Sequence, residues 1–369
     1  MLRRFAVENF RNFRERTEID FTATHSYAFN PQCVRDGILN KVLLLGKNGS
    51  GKTNLGYAIF DIVMTLTDNA VDIRQTDAGA YMNGNSGKKY ASFEYEFQQD
   101  GRILNYSYRK SDLRTIIYEE LSVDGKLIFR RNGNSGRYDG LSQYGAGQLR
   151  MNVQNGALSV LRYVNANTVQ PEDSPISFIM DFVSHMLYFR SDIEGNVSTG
   201  YGRGETIYDY IINNGLTEDF QDMLNEVAEI DADLGIVKTP GTQGIFVQKF
   251  KNKSLRFEAI ASTGTKVFAL FYYWHKHMDD IRFLYMDEFD AYYYYEMSER
   301  IVRLVSEMEG FQTIFTTHNI SLLRNDLVRP DCCLVLDDGK IRSFSDSTER
   351  ELRQGHNLEK MYRNGEFDE

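Results

Sequence analysis

The stretch KVLLLGKNGSGKT, residues 41–53, decides the fold of this chain. Lys41–Leu45 is a short apolar run typical of a buried strand, and apolar residues recur at helical spacing from Asn54 to Leu66. Between them, Gly46–Thr53 matches every fixed position of the pattern G-x-x-x-x-G-K-[ST]. Strand, glycine loop and helix in this order predict a P-loop, whose backbone amides bind phosphate groups.

The P-loop also predicts which side chains bind a nucleotide. Lys52 is expected to reach the β and γ phosphates, and the Thr53 hydroxyl is expected to ligate Mg²⁺. We therefore expect the chain to bind ATP together with Mg²⁺. The residues expected to contact the nucleotide from this segment are Gly46, Asn48, Gly49, Ser50, Gly51, Lys52, Thr53 and Asn54.

Two further apolar runs end in polar side chains: Phe283–Met286 is followed by Asp287 and Glu288, and Thr313–Thr317 by His318. Parallel strands that end at the edge where a P-loop lies bring such groups together. We expect Asp287 to hold Mg²⁺, Glu288 to orient or deprotonate the attacking water, and His318 to hydrogen-bond the γ-phosphate. A solvated Asp-Glu pair and a structural histidine are the alternatives. The predicted catalytic residues of this ATPase are Lys52, Glu288 and His318.

A small-residue turn, ASTGTK at residues 261–266, precedes the apolar helical run Val267–Trp274. A helix N-terminus with a serine side chain and free amides favours an anion. Ser262 and Gly264 are therefore candidates for contact with a phosphate. Plain helix capping by Ser262 is the alternative.

The N-terminal part of the chain predicts β structure. Leu2–Phe21 alternates apolar and polar residues as an edge strand and its return do. Residues 89–131 show the same period of two, with turns at Asp100-Gly101 and Asp124-Gly125, which predicts antiparallel hairpins.

The remainder predicts a loop, a helical part and a parallel sheet. Residues 132–160 are rich in Gly, Asn, Ser and Gln, which favours a loop or a mobile insertion, and helical spacing returns over 176–235. From residue 282 onward strands and helices alternate, as in an α/β protein with a parallel sheet. The predicted parts are 1–135 with the P-loop and an antiparallel β lobe, 136–245 as a mainly helical insertion, and 246–369 with the signature turn, the carboxylate pair and the histidine.

Composition excludes several classes of protein. The 369 residues contain no apolar run near the roughly 20 residues that span a bilayer, and the basic start lacks the apolar core of a signal peptide. We therefore expect a cytoplasmic protein that contacts no membrane. A net charge of −10 argues against a surface that coats nucleic acid, although a local basic groove is compatible with it. The three cysteines lack metal-ligand spacing and are predicted to be small core residues.

The order of P-loop, Ser-Gly signature, Asp-Glu pair and histidine resembles the ABC-type ATPase heads of SMC, RecF and OLD proteins. The segment ENFRNF at residues 8–13 is similar to an N-terminal segment of the RecF group that lies beside the nucleotide, which implies contacts from Arg11 and Asn12. The resemblance implies an α/β fold with an ABC-ATPase-like P-loop sheet, an antiparallel β lobe and an inserted helical subdomain.

More narrowly, DEFDA at 287–291, the signature turn and GHNLEKMY at 355–362 look like bacterial AAA-15/AAA-21 ATPases. That group includes RloA-like proteins and the AriA component of the PARIS antiphage system. The resemblance spans nearly the whole chain. It implies a nucleotide-gated sensor that regulates a separately encoded effector in antiphage defence, triggered by DNA or by a phage protein.

In ABC-type heads the signature of one subunit closes over the nucleotide bound by the other. The resemblance therefore implies a homodimer with two sandwiched ATP molecules, alone or within a larger assembly, in which Ser262 completes a site opened by Lys52. The signature departs from many relatives at Ala261 and Thr263, where those relatives have leucine and glycine. Because few residues follow His318, we expect any toxic activity to reside in another protein.

Two other functions remain open. A RecF-like or SMC-like DNA-binding ATPase in repair is the first, although no heptad stretch predicts the coiled-coil arms of SMC proteins. The nucleotide-binding subunit of a membrane transporter is the second, and it would need a coupling glutamine. The candidates for that glutamine are Gln143, Gln148 and Gln170.

Three weaker patterns allow a purely structural interpretation as well as a functional one. Tyr292–Tyr295 predicts either a recognition surface or packing at a helix start. His275 and His277 lie on different helix faces, which argues against a shared metal. A further set of cations predicts either a basic strip for DNA or a partner, or a solvated hairpin edge. These cations are Arg109, Lys110, Arg114, Arg130 and Arg131.

Overall fold

A computed structural model describes residues 1–68, 79–151, 156–192, 195–200, 206–238 and 244–367. The strands are β1 Leu2–Glu8, β2 Thr17–Asp20, β3 Val34–Arg35, β4 Ile38–Leu39, β5 Lys41–Leu45, β6 Ala91–Gln99, β7 Arg102–Lys110, β8 Ile116–Val123, β9 Lys126–Asn132, β10 Ser135–Arg137, β11 Met186–Asp192, β12 Gly195–Gly200, β13 Leu234–Val237, β14 Ile245–Lys249, β15 Ser254–Arg256, β16 Phe283–Asp287, β17 Gln312–Thr316, β18 Cys333–Asp337 and β19 Lys340–Ser343. The helices are α1 Lys52–Leu66, α2 Val160–Asn167, α3 Pro175–Ser184, α4 Ile207–Asn213, α5 Thr217–Ala228, α6 Phe257–Ile260, α7 Thr263–His275, α8 Tyr295–Glu307 and α9 Leu358–Arg363.

A mixed seven-stranded sheet carries the P-loop. Its order is β12-β11-β16-β17-β5-β18-β19, with β11, β16, β17, β5 and β18 parallel to their neighbours in the centre and antiparallel strands at both edges. The short strands β5, β16 and β17 are buried along their whole length, as expected for strands covered on both faces. The predicted α/β class with a P-loop sheet is therefore confirmed.

A second seven-stranded sheet is antiparallel, in the order β10-β9-β8-β7-β6-β1-β2. Hairpins β6–β7 and β8–β9 turn at Asp100-Gly101 and Asp124-Gly125, all four with positive φ, which confirms the predicted turns. The prediction that Leu2–Phe21 contains an edge strand holds for β2 only, because β1 lies between β2 and β6.

The core lies on both faces of the mixed sheet. Val42 and Leu44 pack with α1, α3 and the antiparallel sheet on one face. Leu43 and Leu45 pack with α5, α7 and α8 on the other. Alternation along β5 thus places the helix that follows the P-loop between the two large sheets.

The interpretation of residues 176–235 as helical was incomplete. The segment contains α3, α4 and α5, but also β11, which pairs in parallel with β16 in the P-loop sheet. Helical spacing on either side concealed a run, MLYFR, that is too short to be told from a buried helix by periodicity. The domain boundaries given above stay a prediction. In its described residues the predicted 132–160 loop contains the last residue of β9, β10, a 3-10 turn at Asp139–Tyr144 and the first residue of α2.

One buried ion pair fastens the antiparallel sheet to the helix that follows the P-loop. Nζ of Lys110 on β7 lies 3.0 Å from Oδ1 of Asp61 on α1. The hydroxyls of Tyr81 and Tyr108 donate to the same carboxylate at 2.9 Å each. Both charged side chains are almost fully inaccessible to solvent, so each depends on the other for stabilisation.

A second buried pair lies beneath the same sheet. Nη2 of Arg131 on β9 lies 3.1 Å from Oε2 of Glu119, which also accepts a hydrogen bond from the Val160 amide at the start of α2. Both interpretations of the five-cation strip are therefore wrong for Lys110 and Arg131, which are structural. Arg109, Arg114 and Arg130 do lie on the surface.

Within the described ranges, no helix is both long and apolar enough to cross a bilayer. The three cysteines are free and buried, as predicted.

Candidate functional site

The P-loop connects β5 to α1 at the carboxyl edge of the mixed sheet. Gly51 precedes α1 with φ +108°, a conformation that residues with a side chain rarely adopt. A Cβ at this position would lie 2.2 Å from Nδ2 of Asn12, so the N-terminal segment packs directly against the loop. The Ser50 hydroxyl is buried and has no hydrogen-bond partner among the described residues, as fits a loop whose polar groups serve a ligand.

Lys52 and His318 meet at this edge. The Lys52 ammonium donates to the Gly46 carbonyl at 2.8 Å and lies 2.9 Å from Nε2 of His318. Burial lowers the pKa of Lys52, against the opposing effect of Glu288 and Asp287. Burial and the nearby Lys52 charge also lower the pKa of His318 below 6.5, so its ring is neutral at pH 7. The two side chains predicted to share the γ-phosphate are therefore already adjacent.

Asp287 ends β16 and is fully buried. Its Oδ1 accepts a hydrogen bond from Oγ1 of Thr316 at 2.8 Å, and its Oδ2 accepts one from the Tyr188 hydroxyl at 2.8 Å. The same Thr316 hydroxyl accepts from the Glu288 amide at 2.8 Å. Thr316 on β17 therefore holds the Asp287 carboxylate and the backbone of Glu288, and sequence reasoning did not single it out.

Glu288 has an unusual backbone for its residue type. Its φ is +46°, in the left-handed region that only a few per cent of non-glycine residues occupy. Its side chain is 37% exposed, whereas that of Asp287 is inaccessible. Backbone strain of this kind concentrates at functional sites, and here it directs an accessible carboxylate away from the end of a buried strand.

Arg190 is a site residue that the sequence interpretation missed. It is the register partner of Asp287 across β11 and β16. Its Nε lies 3.6 Å from Oδ2 of Asp287 and its Nη2 lies 3.8 Å from Oε2 of Glu288. The available signal was the run MLYFR, which has the same apolar character as FLYMD and ends in a charged side chain at the matching position.

α1 is held in position by two stacked tyrosines. The rings of Tyr188 and Tyr285 are parallel within 7° at a centroid distance of 5.7 Å. The Tyr285 hydroxyl donates to the Lys52 carbonyl at 2.5 Å. A Cβ at Gly56 would lie 2.6 Å from one ring and 2.8 Å from the other, so only glycine allows this approach of helix to sheet.

A network of hydrogen bonds over the P-loop connects Arg11, Asn12 and Asn54. Arg11 donates to Oδ1 of Asn54 at 3.3 Å, and Nδ2 of Asn54 donates to Oδ1 of Asn12 at 2.8 Å. Asn12 in turn donates to the Ser50 carbonyl at 3.2 Å. The guanidinium of Arg11 also lies 4.9 Å from the centroid of the Tyr57 ring. These residues lie at the predicted site, where they support the loop; direct contact with a nucleotide stays a prediction.

The signature turn makes its contacts elsewhere. The Ser262 hydroxyl caps α7 by accepting from the Thr265 amide at 3.1 Å, which is the capping alternative. A Cβ at Gly264 would lie 2.8 Å from the Tyr292 carbonyl, so packing alone requires glycine. In the described part of the chain, no hydrogen bond joins Ser262 to the P-loop. Its role at a phosphate stays a prediction.

The residues at the carboxyl edge fit a magnesium nucleotide. Thr53 lies in the first turn of α1, and Asp287 offers a carboxylate that is hydrogen-bonded in place. Over the described ranges, no group of three or more His, Cys, Asp and Glu side chains is positioned to hold a metal. Mg²⁺ suits such a site, because it keeps several waters and takes one or two protein carboxylates together with substrate phosphates.

Residues 172–324 match the family described as "AAA domain, putative AbiEii toxin, Type IV TA system". This segment contains the signature turn, the carboxylate pair and His318. The match covers 153 of the 369 residues, less than half of the chain. The P-loop precedes the matched segment in sequence and follows β5, which lies in the same sheet as β16 and β17 of that segment.

Three solved structures are similar to this chain. The SMC head domain from Thermotoga maritima is 13% identical with a TM-score of 0.43, covering 93% of this chain and 98% of that one. The Pyrococcus furiosus Smc head bound to the C-terminal domain of ScpA is 14% identical with a TM-score of 0.47, covering 93% and 96%. A bacterial Atm1-family ABC exporter with ATP bound is 10% identical with a TM-score of 0.38, covering 99% and 42%. No curated protein matches at a significant level.

The three glutamines predicted as candidates for a coupling residue lie between β10 and α3. Nε2 of Gln170 donates to the Tyr144 carbonyl at 3.0 Å, a structural contact within the lobe. Gln143 and Gln148 are exposed on the segment that follows β10. Which of the three, if any, acts as a coupling residue stays a prediction.

The tyrosine run divides between interior and surface. Tyr293 is partly buried and desolvation raises its pKa well above the usual value, whereas 42% of Tyr294 and 68% of Tyr295 are exposed. Tyr292 and Tyr293 pack against the core just before α8, so the helix-start interpretation describes the inner half of the run. Its outer half remains available for contact with another molecule.

Proposed function

We propose that this chain is an ATP-hydrolysing head whose two copies close around two ATP molecules. In each site one copy supplies Lys52 and the carboxylate pair, and the other supplies Ser262 and Gly264. Hydrolysis removes the γ-phosphate that both copies contact, which releases them. ATP binding favours the closed state because only that state lets one nucleotide contact both copies.

The observation that carries this proposal is the arrangement at the carboxyl edge. A cation, a neutral imidazole and two carboxylates with opposite exposure lie on adjacent parallel strands and the loop between β5 and α1. Lys52 and His318 would bind the γ-phosphate, Asp287 and Thr53 would hold Mg²⁺, and Glu288 would orient the attacking water. When bound, Mg²⁺ neutralises charge that develops on the phosphate oxygens.

The proposed cellular role is that of a sensor that regulates a separately encoded effector in bacterial antiphage defence. The description of the matched family names a toxin and a toxin–antitoxin system, which fits a chain that works with a second component. A DNA-binding repair ATPase is less well supported. The predicted basic strip loses Lys110 and Arg131 to the lobe interior, and the chain carries a net charge of −10.

Glu288→Gln tests the ATPase assignment. The variant should bind ATP and Mg²⁺, hydrolyse ATP at least about 100-fold more slowly because one positioned base is lost, and accumulate as a dimer measured by light scattering. Lys52→Ala should stay monomeric with ATP, and Glu296→Gln on α8 serves as a surface control. An unchanged hydrolysis rate in Glu288→Gln would overturn the assignment.

The regulatory role needs its own experiment. The chain should copurify from its host with the product of a neighbouring gene, and the amount recovered should differ between Glu288→Gln with ATP and Lys52→Ala. Equal recovery from both variants argues against nucleotide-gated control. Recovery of DNA alone favours the repair alternative.

A further inference from the structure

Arg190 occupies the place beside the carboxylate pair that a bound cation must enter. The parallel register sets Arg190 directly opposite Asp287, so its guanidinium lies over both acidic side chains. Asp287 already accepts hydrogen bonds from Thr316 and Tyr188. Arg190 is therefore not needed to satisfy that carboxylate, and it contributes charge instead.

The distances between the Arg190 nitrogens and the carboxylate oxygens show that Arg190 makes no hydrogen bond to Asp287 or Glu288. At 3.6 Å and 3.8 Å, the nitrogen–oxygen distances exceed those of hydrogen bonds, so the attraction is Coulombic. Nε of Arg190 and the Asp287 carboxylate are inaccessible to solvent, whereas the Glu288 side chain is 37% exposed, so water reaches only the Nη2 side of the contact. The guanidinium also interacts with the Tyr57 hydroxyl, but its Nε has no hydrogen-bond partner among the described residues, so an incoming anion can supply a bond that the carboxylates do not make.

Mg²⁺ and the Arg190 guanidinium cannot both occupy the position beside the carboxylates of Asp287 and Glu288. A divalent cation held by Asp287 would bring a like charge close to the guanidinium, and like charges at short range repel. The phosphates that arrive with the metal offer the guanidinium a better partner, because arginine binds phosphate oxygens through two parallel hydrogen bonds.

We propose that Arg190 is an ionic latch, which holds Asp287 and Glu288 while no nucleotide is bound and transfers to the phosphates when magnesium nucleotide enters. The inference rests on the proposed ATPase function, because it names a further residue of that site. Arg190 thus makes the carboxylate pair resist Mg²⁺ alone and accept Mg²⁺ that arrives with a triphosphate. Strand β11 thereby carries the response to the nucleotide.

The first experiment uses Mg²⁺ without nucleotide and follows thermal unfolding of Arg190→Gln, Arg190→Lys and the unchanged chain. The glutamine variant should be stabilised by Mg²⁺ at an about tenfold lower concentration than the unchanged chain, equivalent to about 1.4 kcal/mol, because its competitor is gone. Arg190→Lys keeps the charge and should behave like the unchanged chain. Arg282→Gln, which breaks a similarly long pair with Asp181 before β16, is the matched control and should change nothing.

The second experiment measures the affinities of ADP and of a non-hydrolysable ATP analogue by calorimetry in the presence of Mg²⁺, with the analogue standing for ATP. Loss of the phosphate contact in Arg190→Gln should reduce the preference for ATP over ADP by about tenfold. The preference of Arg190→Lys for ATP over ADP should lie between those of Arg190→Gln and the unchanged chain, because the lysine ammonium lacks the paired donors of a guanidinium. Identical Mg²⁺ midpoints and identical nucleotide preference in Arg190→Gln and the unchanged chain overturn the latch.

The two proposals fail in different ways. If the unchanged chain binds ATP with Mg²⁺ but Arg190→Gln matches it throughout, the latch is wrong and the ATPase assignment stands. If the unchanged chain binds no ATP, the transfer to phosphates and the ATPase assignment are both overturned. Should Arg190→Gln fail to fold, Arg190→Lys still decides, because an ATP preference equal to that of the unchanged chain excludes paired phosphate contact.

Discussion

Where the antiparallel sheet packs on α1, Asp61 accepts hydrogen bonds from Lys110, Tyr81 and Tyr108 at 2.9–3.1 Å and is inaccessible to solvent. At the carboxyl edge, Arg190 stands 3.6 Å from Asp287 and 3.8 Å from Glu288, with solvent on one side. Both regions pair a cation with carboxylates beside α1. Cation–carboxylate pairs that are buried and fully hydrogen-bonded stabilise the fold. Pairs at longer distance with partial exposure leave room for a ligand to replace one partner.

Lys110→Met should break this comparison most strongly. Removing the cation leaves Asp61 buried without its charge partner, and we expect the free energy of unfolding to fall by about 3–5 kcal/mol. Urea denaturation measures the change. Arg109→Met, an exposed neighbour on β7, is the matched control and should lose no more than about 1 kcal/mol. Equal losses in the two variants would show that Lys110 is no more important than a surface cation.

Lys52→Ala should weaken ATP binding strongly and change the stability of the fold little, the opposite of Lys110→Met. ATP affinity should fall about 100-fold or more, because two charge-assisted hydrogen bonds to phosphate are lost. The free energy of unfolding without nucleotide should change by less than about 1 kcal/mol, since Lys52 is a desolvated cation whose bonds to loop carbonyls are replaceable. Calorimetry and urea denaturation measure the two quantities. Lys47→Ala, exposed in the same loop, should affect neither strongly.

Thr316→Val sharpens the comparison at a single hydroxyl. That hydroxyl donates to Asp287 and accepts from the Glu288 amide, so we expect a loss of about 1–3 kcal/mol in unfolding free energy and slower ATP hydrolysis. Thr313→Val on the same strand is a close control, because the Thr313 hydroxyl is buried without a hydrogen-bond partner among the described residues. It should be neutral or slightly stabilising. A larger loss in Thr313→Val would contradict this account.

The smallest effect concerns the titration of His318. Because the folded chain keeps its pKa below 6.5, the unfolded chain binds more protons as the pH falls through 6.5, and His318 then lowers stability slightly. NMR of the imidazole should give a midpoint below 6.5 that moves upward in Lys52→Met, where the repelling charge is removed. A midpoint that is insensitive to Lys52 would show that the contact between Lys52 and His318 does not persist in solution.

Contiguous motifs were predictable from the sequence, and partners across strands were not. GKNGSGKT fixes Lys52 through local spacing alone, and β16 and β17 were visible as short apolar runs with polar ends. Arg190 was missed because its importance comes from its register with Asp287, which depends on a strand pairing far apart in sequence.

The burial of Lys110 was predictable from the period-two pattern of its strand, but this signal was overlooked. Lys110 continues the inward period of Leu104, Tyr106 and Tyr108 on β7. Charge alone suggested a solvated residue, whereas the period of two indicates the inner face. The exact partner, Asp61, could not be read from spacing because it lies on a helix rather than on a neighbouring strand.

The contact between Gly264 and the Tyr292 carbonyl has a mechanical consequence. With 2.8 Å between that oxygen and the position of a Cβ, the turn that starts α7 and the loop that follows the carboxylate pair have no room to slide past each other. In the proposed dimer, we therefore expect a displacement of the Ser262 turn to be passed to the chain just beyond Glu288, because the two segments are in close contact.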